Sequence, residues 1–151
     1  MHGNGTGAYQ RTGVLTADPR RLVLMCYEEA IRNLKIAKAK YISRDYEEKA
    51  RALIKAQDFI CELNSALDFK KGGEVASNLR ALYNYMMLSL TEADLKRDLG
   101  GIDHIIWMLV ELKSAWEDIL VNGNSTKDIT SGLQRIADMG KESTHAREVR
   151  A

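Results

Sequence analysis

Proline occurs once in the 151 residues, at position 19, and aromatic side chains make up only 7% of the chain. An all-β domain needs turn chemistry roughly every eight to twelve residues and fills its strands with aromatic and β-branched side chains. That scarcity argues against a sheet protein. Cysteine is nearly absent too: Cys26 and Cys61 form no CxxC pair, which excludes a disulfide framework and a zinc knuckle. Charge of one sign is missing, with 22 Lys+Arg against 21 Asp+Glu and a net of +1. No bulk field is available to attract the phosphates of a nucleic acid. No apolar run reaches the ~18–20 residues of a membrane span. Residues 1–16 have neither the basic start nor the apolar centre of a secretory leader, so the sequence predicts a cytosolic protein without membrane insertion. What remains is ordinary globular composition, 45% hydrophobic and 28% charged, rich in Ala, Leu, Lys and Glu. At this length it suits one all-α domain.

The apolar residues repeat with helical spacing. Asp18-Pro19 reads as an N-cap followed by the favoured first-turn proline. Val23, Tyr27, Ala30, Leu34, Ala37 and Tyr41 then step by four and three. After a cap at Ser43-Arg44-Asp45, Leu53, Ala56, Ile60, Leu63 and Leu67 continue the spacing in a second helix. The pairs Gly72-Gly73 and Gly100-Gly101 are expected to break the chain between the second, third and fourth helices. The third seam is Ala76, Leu79, Tyr83, Met86, Leu90 and Ala93, and the fourth is Ile102, Ile105, Leu109, Leu112, Trp116 and Ile119. Three short connections make neighbouring helices antiparallel, which gives an up-down-up-down four-helix bundle over 18–122. A Gly-rich arm, 1–17, precedes it. A polar tail, 123–151, follows, with a capping-box pattern at Ser125–Asp128 and one short amphipathic stretch through Ile129, Leu133 and Ile136.

Catalytic and metal chemistry find no foothold. A di-metal bundle requires inward E-x-x-H pairs on two helices, and the one such spacing, Glu142 to His145, lies in the polar tail. His104 sits at the edge of the fourth seam beside Asp103 and reads as a boundary histidine. G-x-S-x-G, P-loop and Rossmann fingerprints are all missing. The sequence predicts neither an enzyme nor a cofactor.

Apolar residues off the seam carry the functional signal. On the third helix Ala81, Tyr85 and Leu88 form a second stripe beside the solvated Ser77, Arg80, Asn84 and Thr91. On the second, Ala50, Ile54, Gln57 and Cys61 lie roughly opposite the seam. Leu24, Ile31 and Ile42 on the first helix, and Ile106, Val110 and Val121 on the fourth, add further apolar positions. Wide seams and scattered surface apolar residues account for part of this. Adjacent stripes, however, make a groove of the kind that receives a partner's amphipathic helix.

Four ordered blocks then carry a resemblance: AYQ at Ala8 to Gln10, VLTADPRRLVLMCYEEAIRNLKIAK from Val14 to Lys38, GGEVASNLRALYNYMMLSL from Gly72 to Leu90, and ID…LVELKSAWEDI from Ile102 to Ile119. Together, from Ala8 to Leu120, the chain resembles the flagellar secretion chaperone FliS family. Cys26 stands where that family commonly has leucine, a conservative change for packing. The resemblance implies a cytosolic helical chaperone that binds the C-terminal region of flagellin, prevents its premature polymerisation and assists delivery to the flagellar type III export apparatus. Asn78, Leu82 and Tyr85 fall in the family's NL..LY.YM pattern. The expected partner-binding residues are thus Tyr9, Ala50, Ile54, Gln57, Cys61, Asn78, Ala81, Leu82, Tyr85 and Leu88. Tyr9, with Ala8, Val14 and Leu15, gives the arm an apolar face expected to fold back over one end of the bundle and compete with the client. The alternative is a structural bundle that forms a homodimer through the same stripes and has no flagellin client.

Overall fold

The computed structural model describes residues 19–122, so the arm, the cap expected at Asp18 and the tail with its expected amphipathic stretch lie outside the described residues. Four helices follow one another: α1 Pro19–Ile42, α2 Tyr46–Ser65, α3 Phe69–Lys96 and α4 Leu99–Asn122. No strand occurs among the described residues. Each helix packs on its two neighbours, α1 on α2 and α4, and α3 on α2 and α4. That is the antiparallel four-helix bundle the spacing predicts. The seam is buried as expected: Tyr27, Leu34, Ile60, Tyr83, Met86, Leu90, Ile105 and Leu109 are all at most 1% exposed. Met108 and Ala115 widen the α4 seam, and Ile31, read as a core-edge residue, is buried as well.

The glycine pairs do not stand where the chain reverses. α2 ends at Ser65 with Ala66 as its C-cap, and Asp68 caps α3, its Oδ1 accepting from the backbone N–H of Lys70 and of Lys71 at 3.0 and 3.1 Å. Leu67 therefore lies in the link, not in a helix. Gly72 and Gly73 sit one turn inside α3, where Gly73 adopts φ +50° and ψ −123° and kinks the helix. The second reversal is at Arg97, φ +55°, followed by Asp98, whose Oδ1 accepts from Gly101 N–H at 3.0 Å. A Cβ on Gly101 would lie 3.1 Å from Ala93 Cβ, so this glycine permits the close approach of α4 to the end of α3. In both links an aspartate side chain satisfies orphan N–H groups and fixes the helix start. Gly72 and Gly101 then relieve close approaches to Ala76 and Ala93, while Gly73 supplies the positive φ of the kink.

The two ends of the bundle differ. Where α1 and α3 end, Lys49 Nζ meets Asp94 Oδ1 at 2.6 Å and lies 4.9 Å from the centre of the Tyr41 ring. The Tyr41 hydroxyl donates to the Asp94 carbonyl at 3.0 Å, and the Arg97 guanidinium lies over Tyr46. Three helices are tied together there. At the other end, where α1 begins and α4 finishes, a half-open apolar cavity of about 260 Å³ remains, bordered by Val23, Leu63, Leu67, Val75, Leu79 and Trp116.

Candidate functional site

The outer face of the bundle is built from what the core leaves over. Residues seven apart on a helix lie nearly in line, so Ala81, Leu88 and Leu95 run along the crest of α3. All three are exposed, Leu88 by 74% and Leu95 by 81%. Leu95 extends the stripe that the sequence reading stopped at Leu88. Its signal was the same seven-residue step, continued once more.

Two polar side-chain pairs link the outer faces of α2 and α3. Gln57 Nε2 donates to Thr91 Oγ1 at 3.2 Å, and Asn64 Nδ2 donates to Asn84 Oδ1 at 3.2 Å. These pairs fix the register of the two helices: residue 57 stands opposite 91, and 64 opposite 84. Cys61 and Leu88 therefore come to nearly the same level on opposite banks. On α2 the apolar rim is Ile54, 57% exposed, and the exposed Cys61. Ala50 is half-buried. Gln57, expected as a partner-binding residue, is half-buried and spends its amide on Thr91, so it joins the two helices under the rim.

The family-pattern residues occupy the other shoulder of α3, toward α4. Leu82 is half-buried and packs on the core, Asn78 is exposed, and Tyr85 is 46% exposed. Tyr85 borders a small polar hollow with Ser89, Lys96, Asp98 and His104. The expected site thus divides into two strips along α3. Ala50, Ile54, Gln57 and Cys61 belong to the α2 side, Asn78, Leu82 and Tyr85 to the α4 side, and Ala81 and Leu88 lie on the crest between them. Tyr9 lies outside the described residues. Among the further apolar positions, Ile42 and Val110 are exposed, whereas Ile31 is core.

Beneath the open end lies a buried polar relay. The Tyr27 and Tyr83 hydroxyls share a hydrogen bond at 2.5 Å, and Trp116 Nε1 donates to the Tyr27 hydroxyl at 3.1 Å. Burial, more than any neighbour, pushes the pKa of both phenols upward, because an ionised phenolate there would lose its hydration. Cys26, half-buried, is raised to about 11 by burial, with the Glu62 carboxylate adding to the shift. None of these groups has the activated form that nucleophilic or acid–base chemistry requires. His104 stacks on Trp107, ring centres 6.0 Å apart. Among the described residues no group of three or more His, Cys, Asp or Glu is placed to hold a metal ion, and no helix is long and apolar enough to cross a membrane. The surface suits binding.

A family model described as "Flagellar protein FliS" matches residues 2–123. Three curated proteins named flagellar secretion chaperone FliS are similar over most of the chain. That of Bacillus subtilis is 30% identical over 83% of this chain and 93% of its own length. That of Vibrio cholerae is 35% identical over 74% and 85%, and that of Salmonella typhimurium 35% over 72% and 81%.

Proposed function

The chain belongs to the flagellar protein FliS family, and from that membership we propose that it is a cytosolic flagellar secretion chaperone whose client is the C-terminal segment of flagellin. The reading includes preventing premature polymerisation and assisting delivery to the flagellar export apparatus. Family membership carries the general role of an export chaperone, a role that is not enzymatic. The observation that supports a client on this surface is the exposed apolar crest of α3 with the rim of α2. Ile54, Cys61, Leu88 and Leu95 stay exposed although the bundle core is complete without them.

The physics fits such a client. An amphipathic terminal segment without its filament neighbours exposes an apolar stripe and self-associates. Laying that stripe along the exposed apolar residues of α2 and α3 covers it helix by helix. Two shallow strips, each modest in area, suit a partner that must be released, because ordering the client offsets part of the contact energy.

Titration calorimetry of the full chain with monomeric flagellin and with flagellin lacking its last helical segment tests the reading. We expect 1:1 binding to the intact monomer, loss of binding on truncation, and no stable complex with assembled filament. Full-strength binding to the truncated protein would reject the reading. Light scattering separates the structural alternative, since a dimer that ignores flagellin would support a self-associating bundle instead.

A further inference from the structure

We infer that Arg80 selects the client: it pairs with a carboxylate of the segment laid along α2 and α3, a contact that rests on the flagellin reading above. From Val75 to Thr91 α3 carries a single charge, that of Arg80. Its other exposed polar residues there, Ser77, Asn78, Asn84 and Thr91, are neutral. A partner can cover such a face at little cost in lost hydration, except at the guanidinium, which must be paired once water is excluded from it. One isolated charge in a neutral face therefore discriminates: a segment with a carboxylate at that point is accepted, and one without it leaves a covered cation unpaired.

The register of α2 and α3 places Arg80 on the client's path. Asn84 and Thr91 bond across to Asn64 and Gln57, and Arg80, four residues before Asn84, continues that flank of α3. Carried on toward the start of α3, the same register puts Arg80 level with residues 66–68, just past the last residue of α2. A segment running between Ile54 and Cys61 on one side and Leu88 on the other meets Arg80 where α2 stops. Carboxylates of the bundle do not occupy it. Glu74, six residues before Arg80, lies about two-thirds of a turn round the helix from it. Asp68 spends its Oδ1 on the backbone N–H groups of Lys70 and Lys71. Lys38, Arg51, Lys96 and Lys113 meet Asp103, Glu47, Glu92 and Glu28, whereas Arg80 makes no ion pair among the described residues.

The guanidinium is held in advance of binding. Phe69 and Arg80 would stand about 16 Å apart along a straight helix, farther than an arginine side chain reaches. The kink at Gly73 breaks that line, and helical side chains lean toward the N-terminus. Arg80 Cζ consequently lies 5.8 Å from the centre of the Phe69 ring, which is itself 46% exposed. The ring takes one face of the guanidinium plane. The N–H donors lie in that plane and stay available along its edge, the geometry that a carboxylate accepts in two parallel bonds.

Titration calorimetry of the full chain with monomeric flagellin, at low and at physiological salt, tests the contact. Arg80→Gln should weaken binding about fivefold at low salt and flatten the salt dependence seen with the unaltered chain. Its thermal transition should not move, because the side chain is exposed. Arg80→Lys should recover part of the loss, since it keeps the charge without the planar fork. Replacing the carboxylates of the flagellin C-terminal segment by amides, one at a time, identifies the partner: one replacement should weaken binding to the unaltered chain and have no further effect on Arg80→Gln. Equal affinity and equal salt dependence for Arg80→Gln and the unaltered chain, both binding flagellin, would overturn the inference and leave the flagellin reading standing. Additive losses for every client carboxylate would overturn it too. Failure of the unaltered chain to bind flagellin would reject the flagellin reading and this inference with it.

Discussion

Leu109 and Ile54 are branched aliphatics on the same bundle, yet an aspartate at each should report on different things. Leu109 is fully buried, so Leu109→Asp places an unpaired carboxylate in the core and should cost at least about 3 kcal/mol, enough to lose the cooperative thermal transition. Ile54 is 57% exposed and Tyr85 46%. Ile54→Asp or Tyr85→Asp should change stability by less than about 1 kcal/mol while weakening flagellin binding roughly tenfold. Circular dichroism and calorimetry on the three variants check this, and unfolding by Ile54→Asp would mean that the rim is part of the core. Most seam residues were legible in sequence because one period explains them, whereas Met108 and Ala115 widen the seam beyond it and Leu67 falls in a link. Gln57 was not, because its partner Thr91 stands on another helix and helix-to-helix register is invisible in a single period. A second residue-scale prediction concerns pH. Tyr27 and Tyr83 hold their protons in the folded state above their ordinary value of 10.0. Above about pH 10 the unfolded chain therefore binds fewer protons than the folded one, and stability must fall as pH rises. Below that pH their contribution is complete. Cys26, raised from 9.0 to about 11, acts in the same direction from pH 9 upward. Melting temperatures between pH 8 and 11 should decline across the upper part of the range, less steeply in Tyr83→Phe, and a flat profile would contradict the buried relay.

At the scale of the element, the helix starts are set by side chains that the sequence displays and by a backbone conformation that it does not. Asp45 accepts from Glu48 N–H at 3.3 Å, in agreement with the cap expected there. Asp68 and Asp98 do the same work at the next two reversals, where the neighbouring glycine pairs drew the sequence reading a few residues too far along. A glycine marks permission for an unusual conformation, not the place where a helix must stop. Gly73 uses that permission at φ +50°, with no atom within 4 Å of where a Cβ would stand. Gly73→Ala should therefore destabilise through backbone strain alone, by about 1–2 kcal/mol. At Gly72, by contrast, an added Cβ would lie 2.9 Å from Ala76 Cβ, so Gly72→Ala acts by crowding. Denaturant melts of both variants, paired with Ala76→Gly in the Gly72→Ala background, separate the two mechanisms. Relief by Ala76→Gly is expected for Gly72→Ala, and the Gly73→Ala loss should persist in the same background.

For the whole molecule, the asymmetry of the two ends decides where regulation can enter. One end is tied by Lys49, Asp94 and Tyr41, and the other is open at the place where the described chain begins and finishes. Both terminal segments therefore start from the open end, within reach of the strips along α3. The sequence of the arm carries Ala8, Tyr9, Val14 and Leu15 among Gly3, Gly5, Gly7 and Gly13. An apolar segment tethered to a bundle with exposed apolar strips is held at high effective concentration, and we propose that a client helix competes with it. Occupation by the arm lowers the apparent affinity by the fraction of molecules left open, so an arm in place nine-tenths of the time would weaken binding about tenfold. A chain starting at Thr16, and the full chain with Tyr9→Ala, should accordingly bind the flagellin C-terminal segment more tightly than the intact protein. The shortened chain should show the larger gain. A static cap gives the opposite result, lower thermal stability with equal or weaker binding. Calorimetric affinities of the three proteins for one flagellin peptide, read beside their melting temperatures, decide between an arm that competes with the client and one that merely packs.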